Sequence, residues 1–250
     1  MRTRSGEPWA AARAAGVPVS RRCVLFRWLP GRALAADDGL DRFERLGGQM
    51  AALHRHATSW RRPRGAPVWD RPFAEPRTPT VLFDQPLAPS VRSVYRDAEQ
   101  AATEVYERLR GRGERRMMTH HDVHIDNALA HRGKISLIDF DDCGLAFREE
   151  DLGRSIFQNR MRGCDERRVG AFRRGYQELA AWPDPADVEA FVAAAAMELA
   201  NEVYQDFDPD YRAAARTYTA RWARIAGAAL RRLNRRPAAP APRRAAGRSS

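Results

Sequence analysis

Two short β-like runs, NALA at 127–130 and ISLID at 135–139, sit in a chain that otherwise reads as helix and loop. The four residues between them, His131-Arg132-Gly133-Lys134, hold a glycine free to take a positive φ, so the pattern predicts a β-hairpin. That hairpin constrains the fold more than any other feature. Folding the chain about 132–133 brings Asn127 opposite Asp139, to within one residue of register. Asn127 opens the first strand and Asp139 closes the second, so both emerge at the same end. Asp122 lies on the loop leading in.

Around the hairpin the apolar residues recur at helical spacing. Leu40, Phe43, Leu46, Met50 and Leu53 mark a helix over 39–58, and Val91, Tyr95, Ala98, Ala102, Val105 and Leu109 mark another over 90–112. Four more are expected at 150–162, 165–180, 185–206 and 210–233, the third opened by Asp184 as N-cap and Pro185 at the first helical position. Residues 23–29, CVLFRWL, end at Pro30-Gly31 and read as a strand; the proline-rich stretch 61–89 reads as an irregular connection. The predicted architecture is α+β: a mostly helical body with an inserted β-hairpin.

Charge adds a boundary. The net charge is +11, yet eleven arginines and no acid follow Asp210, so the first 210 residues are neutral. The segment 234–250 is Pro/Ala/Arg-rich, lacks large apolar side chains and reads as a disordered, solvated tail with no specific nucleic-acid partner. No apolar run reaches membrane-spanning length, and no secretory signal opens the chain. Cys23, Cys143 and Cys164 are widely spaced and odd in number, which suits reduced thiols in a cytoplasm.

The chemistry gathers near the hairpin. An amide oxygen from Asn127 and a carboxylate from Asp139 are hard ligands of the kind Mg²⁺ takes, its remaining positions filled by water and phosphate oxygens. A further carboxylate, Asp122, could accept a proton from an attacking hydroxyl. Those are the parts of a phosphoryl-transfer site. The dipeptide His121-Asp122 and the nearby His124 also admit a metal-dependent phosphohydrolase, which ranks last because such sites set their ligands on helices.

In this order, His120-x-Asp122-x-x-x-x-Asn127, then Ile138-Asp139-Phe140-Asp141, then Asp151-Leu152-Gly153, the chain resembles the aminoglycoside phosphotransferase family. That family shares a protein-kinase-like fold with choline kinases. VLFRWLPGR at 24–32 resembles its lobe connector, and MAALHRHA at 50–57 its next helix. The resemblance implies ATP or GTP and Mg²⁺ as cofactors, and a hydroxyl-bearing small molecule as acceptor. It implies Asp122 as catalytic base and His120 as a brace of the catalytic loop. Asn127 and Asp139 would be the metal ligands that also hold the nucleotide, Ile138 the floor under the adenine, and Asp151 a support of the loop. His121 departs from the family pattern, which has glycine there.

By the same resemblance, residues 1–35 are a remnant of the small lobe with its connector, and 36–233 the catalytic lobe. The chain has a single lysine, Lys134, placed in the hairpin turn, and no G-x-G-x-x-G. The usual phosphate-holding lysine and covering loop are therefore not expected here, and these 250 residues alone are expected to be a weak or inactive catalyst. A non-catalytic kinase-like binding module and a protein Ser/Thr kinase stay open beside the small-molecule kinase. His54 and His56, two apart on a helix, are not a metal pair. Glu198, Glu202 and Asp206 form an acidic stripe, more simply a solvated helix face than a seat for a cationic acceptor.

Overall fold

The computed structural model describes residues 6–13, 19–62, 64–69 and 80–235. The hairpin forms where the sequence puts it. Strands β5 (Ala128–His131) and β6 (Lys134–Leu137) pair antiparallel, with Leu129 opposite Ser136 and His131 opposite Lys134. Arg132 and Gly133 both take left-handed backbones, φ 46° and 75°, the requirement of a two-residue turn matched to strand twist. Strand β3 (Arg32–Ala33) adds to the free edge of β5, so the expected hairpin becomes a three-stranded sheet ordered β3-β5-β6. A second ladder pairs β4 (Met117–Thr119) with β7 (Gly144–Ala146) and brackets the loop and hairpin between them.

Helices supply the bulk. Helix α1 (Leu40–Thr58) packs on α4 (Glu166–Gln177), and α5 (Pro185–Val203) packs on α2 (Pro89–Gly111), α3 (Arg148–Met161) and α7 (Ala215–Leu233). At the α1–α4 crossing, a Cβ on Gly47 would overlap the Phe172 carbonyl and one on Gly175 the Glu44 carbonyl, so glycine sets the close approach. Helix α5 is buried on nearly every side; alanines 193–196 are all in the core, where their small side chains let neighbouring helices pack closely. Its start is as read: the Asp184 carboxylate accepts the Ala186 N–H at 2.9 Å, with Pro185 in the first turn. The apolar stripe of α2 is buried from Tyr95 to Leu109, and the Tyr95 hydroxyl donates to the Thr219 carbonyl at 2.8 Å.

Three expectations need correction. Residues 24–29 are not a strand. Regular pairing stops at β2 (Arg21–Cys23), which meets only β1 (Ala10–Ala12), and beyond it Phe26 and Trp28 are 80% and 86% exposed. β-Branched and aromatic residues favour a strand only when an edge is available to pair with. The helix expected over 210–233 divides at Ala214 into α6 (Pro209–Ala213) and α7, with Asp208 capping α6 by accepting from Asp210 and Tyr211 N–H. The proline-rich connection carries a 3₁₀ turn, Leu82–Asp84, pinned by the Asn201 side-chain oxygen, which accepts from Val81 N–H at 2.8 Å and Leu82 N–H at 3.0 Å. Residues 70–79 of that connection, and the tail from 236 on, lie outside the described residues.

Candidate active site

The loop between β4 and β5 is held from below by one buried carboxylate. Asp151, in the first turn of α3, is fully buried. Its Oδ1 accepts the His121 N–H at 2.9 Å, and its Oδ2 accepts the His120 N–H at 3.2 Å and the His54 Nε2–H at 2.9 Å. The Tyr176 hydroxyl lies 2.9 Å from His54 Nδ1 and closes the chain of hydrogen bonds from α4 through α1 to the loop. Burial alone would raise the Asp151 carboxyl, but the His54 hydrogen bond and the surrounding histidines hold it below the ordinary value. Asp151 thus holds the loop from α3, and His54 is its partner from α1.

His120 is fully buried, its Nε2 3.0 Å from the Ile138 carbonyl and its ring 4.3 Å from that of Phe140. It therefore ties the loop to the end of the hairpin. His121 takes a left-handed backbone, φ 67°, where a glycine would carry no steric cost. Its ring stacks on Trp69 with centroids 3.9 Å apart, and burial beside the Arg154 guanidinium drives its pKa well down, so the imidazole is neutral. A neutral ring packed against an indole on a loop is not the helix-borne metal ligand that a phosphohydrolase would need.

Asp122 sits at the mouth of this loop with its side chain 19% exposed. Gln158 donates to Oδ1 at 3.0 Å, while Asn127 Nδ2 donates to Oδ2 at 2.8 Å. His124 Nδ1 accepts the Asp126 N–H at 3.2 Å, and its Nε2 lies 3.2 Å from Asp122 Oδ2 and 3.1 Å from an Arg162 guanidinium nitrogen. Burial pushes the Asp122 carboxyl up. The His124 hydrogen bond and the charges of Arg154 and Arg162 outweigh it, and the net shift is downward. Asp122 is a carboxylate at neutral pH, with acceptor capacity to spare.

The hairpin delivers the remaining residues. Ile138 N–H donates to the Asn127 carbonyl at 3.0 Å, one step past the regular ladder, so Asp139 leaves the hairpin at the end where Asn127 enters it. Asn127 is buried and directs its amide nitrogen at Asp122, which turns its Oδ1 elsewhere. Asp139 is exposed in a left-handed conformation, φ 64°. An amide oxygen and an exposed carboxylate form an all-oxygen donor set that fits Mg²⁺ and suits zinc or copper poorly. Among the described residues no group of three or more His, Cys, Asp or Glu side chains is placed to hold a metal by itself. A cation that keeps most of its shell for phosphate and water needs no such group.

Beyond Asp151, sequence reading missed what lies under the loop. Asp151, Arg154, Ser155, Gln158 and Asn159 along α3, and Arg162 at its C-cap, fall on one face at helical spacing, and the first five are buried. Ser155 Oγ donates to the Val123 carbonyl at 2.7 Å, and Asn159 Oδ1 accepts the Ile125 N–H at 3.2 Å. Polar residues at helical spacing on an otherwise covered helix were the available signal. The acidic stripe also needs correction. Glu198 is no solvated side chain: it pairs with buried Arg154, while Asp142 and Glu202 lie 3.9 Å from the same guanidinium. A buried arginine must have such a partner. Asp206 stays at the surface end of the stripe, where its Oδ1 accepts the Asp208 N–H.

The model of the APH family, described as the phosphotransferase enzyme family, matches residues 7–191. Several solved structures share the fold. A microcompartment-associated aminopropanol kinase superposes with a TM-score of 0.75 at 23% identity, covering 93% of this chain and 75% of that one. Amicoumacin kinase hAmiN, solved with AMP-PNP, Ca²⁺ and Ami, gives 0.66 at 18% identity over 88% of this chain and 70% of its own. A choline/ethanolamine kinase family protein from Mesorhizobium loti gives 0.63 at 16% identity, covering 90% and 76%. No curated protein sequence matches. The α+β structure with its helical bulk and embedded hairpin is the protein-kinase-like fold, and no helix among the described residues is long and apolar enough to cross a membrane. With the family model spanning most of the chain and its motif residues on one braced loop and hairpin, this protein belongs to the APH family of phosphotransferase enzymes.

Proposed function

We propose that this chain transfers the γ-phosphoryl group of a nucleoside triphosphate, with Mg²⁺, to the hydroxyl of a small amine-bearing alcohol. The observation that carries the reading is Asp122: a carboxylate kept ionised by His124, Arg154 and Arg162, at the mouth of a braced loop and bonded to Asn127. A hydroxyl donating to Asp122 is oriented for attack. Its proton passes to the carboxylate as the new O–P bond forms and the bond to the departing diphosphate breaks. Asn127 Oδ1 and Asp139 would hold Mg²⁺, which when bound offsets the charge of the phosphates. His120 would keep Ile138 and the hairpin end in register with the loop. The carboxylates of Glu198, Glu202 and Asp142 near Arg154 place negative charge beside the loop, which favours a cationic acceptor. The aminopropanol kinase of the same fold bears such an acceptor in its name.

One observation favours a second reading, a kinase-like module that binds nucleotide or a partner without turnover. Val24, Leu25, Phe26, Trp28 and Leu29 are exposed, and the single lysine, Lys134, opens strand β6 of the hairpin. The test is ³¹P NMR of Mg·ATP with amino alcohols and with neutral alcohols of equal size. The proposal expects phosphate-ester signal for the amino alcohols, lost by a factor of about 10² to 10⁴ in Asp122→Asn. Turnover unchanged in Asp122→Asn contradicts the assigned base. Nucleotide binding without any ester supports the module.

A further inference from the structure

Behind the catalytic loop lies a cavity of about 920 Å³ that the phosphotransfer reading does not use. Five arginines line it: Arg61 and Arg62 beyond the end of α1, Arg110 in the last turn of α2, and Arg115 and Arg116 just before β4. Among the described residues Glu114 is the one acidic residue in its walls.

Four of these arginines differ from those that brace the fold. Arg32, Arg42, Arg108, Arg154, Arg160, Arg162 and Arg174 each reach a carboxylate. Among the described residues no carboxylate pairs with Arg61, Arg62, Arg115 or Arg116. Arg116 carries a second sign of an unfilled role. Its Nε is shielded from solvent yet has no hydrogen-bond acceptor among the described residues, and its guanidinium lies over the Phe147 ring, 5.4 Å from the centroid. A buried donor left without an acceptor costs free energy, which a bound anion would recover. The positive charges in this wall outnumber the negative one and repel one another, and an anion would relieve that as well.

We propose that this cavity binds a phosphate-bearing small molecule carrying at least two negative charges. Guanidinium groups engage phosphate oxygens in pairs through their planar fork. The volume falls in the range of small-molecule sites, about 300–1,000 Å³. Much of the remaining wall is apolar, from Trp60, Met117, Met118, Leu145 and Phe147, which fits an organic body attached to the phosphate. The site is distinct from Asp122, Asn127 and Asp139 but shares an element with them. Met117 and Met118 belong to β4, which runs directly into His120, so a ligand here contacts the strand that carries the catalytic loop.

The test is calorimetric titration of the full chain with inorganic pyrophosphate in a chelator, where Mg-dependent nucleotide binding is silent. The wild type and Asp139→Asn are expected to bind alike. Arg115→Ala/Arg116→Ala is expected to weaken binding by at least about tenfold, the loss of two charge-assisted contacts. Because Arg116 is partly buried, Arg61→Ala/Arg62→Ala, at exposed positions, serves as the second variant and is expected to weaken binding with an unchanged urea midpoint. Absence of pyrophosphate binding in low salt overturns the proposal. So does binding that Asp139→Asn abolishes and the arginine variants leave intact, which would place the anion in the nucleotide site. Arginine-dependent binding of single-stranded RNA without any of pyrophosphate also overturns it, and would make the patch a nucleic-acid face.

Discussion

Replacing Asp151 by alanine should destabilise the protein through the catalytic loop, and the size follows from the donors it leaves behind. Three N–H groups converge on this carboxylate: the backbones of His120 and His121 at 3.2 and 2.9 Å, and His54 Nε2 at 2.9 Å. His54, His120 and His121 are all buried, so water does not readily replace the lost acceptor. A buried donor stranded in this way costs about 1–3 kcal/mol. Two stranded amides and one imidazole therefore give a gross loss of roughly 3–9 kcal/mol. Removing the burial penalty of the carboxylate itself offsets part of this, so a net loss of about 3–5 kcal/mol is expected, near the cost of breaking a buried charged pair. For a chain of this size that lowers Tm by about 6–20 °C. The assay is urea unfolding followed by tryptophan fluorescence, with His54→Phe and the double variant completing a cycle. A coupling energy of about 1–3 kcal/mol between the two sites is expected, since they share one hydrogen bond. A loss under about 1 kcal/mol for Asp151→Ala would refute the argument, because it would mean that the loop amides find water or other acceptors.

Two predictions concern pH. Asp122 is held below the ordinary carboxylate range, so its contribution to stability is present above the unfolded value and is lost as pH falls through the lower, folded value. His124→Phe removes the leading downward influence. It should move the acid limb of activity, or of an NMR titration of Asp122, to higher pH; an unmoved limb would show that His124 does not set this carboxylate. Glu150 runs the other way. Burial first, then the charges of Glu198 and Asp151, push its pKa well up against the Tyr106 hydrogen bond, so the folded state holds a proton that the unfolded state releases. The penalty grows as pH rises above the unfolded value. Glu150→Gln should therefore stabilise the protein at pH 8 and change little at pH 4, and equal effects at both would contradict a raised Glu150.

Much of the fold was legible because its elements announce themselves locally. The Arg132-Gly133 turn fixed the hairpin register to within one residue: Asn127 meets Ile138, the neighbour of Asp139. Helix α5 announced its start through Asp184-Pro185. The connector at 24–29 misled because a strand is a property of two segments, and local composition cannot say whether a partner edge exists. The stack of His121 on Trp69 joins residues far apart in sequence, with no spacing rule to connect them. The His54–Asp151 bond is hidden in the same way: each residue reads as an isolated polar group on its own helix until α1 and α3 are placed around the loop.

In the proposed function the hairpin end and the loop that carries Asp122 together form a Mg-dependent nucleotide site. Calorimetric titration with Mg·ATP, for wild type beside Asp139→Asn, tests it most directly. Binding that requires Mg²⁺ and is lost in the variant is expected, with the fold unchanged because Asp139 is exposed. Binding of equal strength in the two proteins, or binding indifferent to Mg²⁺, would contradict the assignment of Asp139 and with it the proposed site.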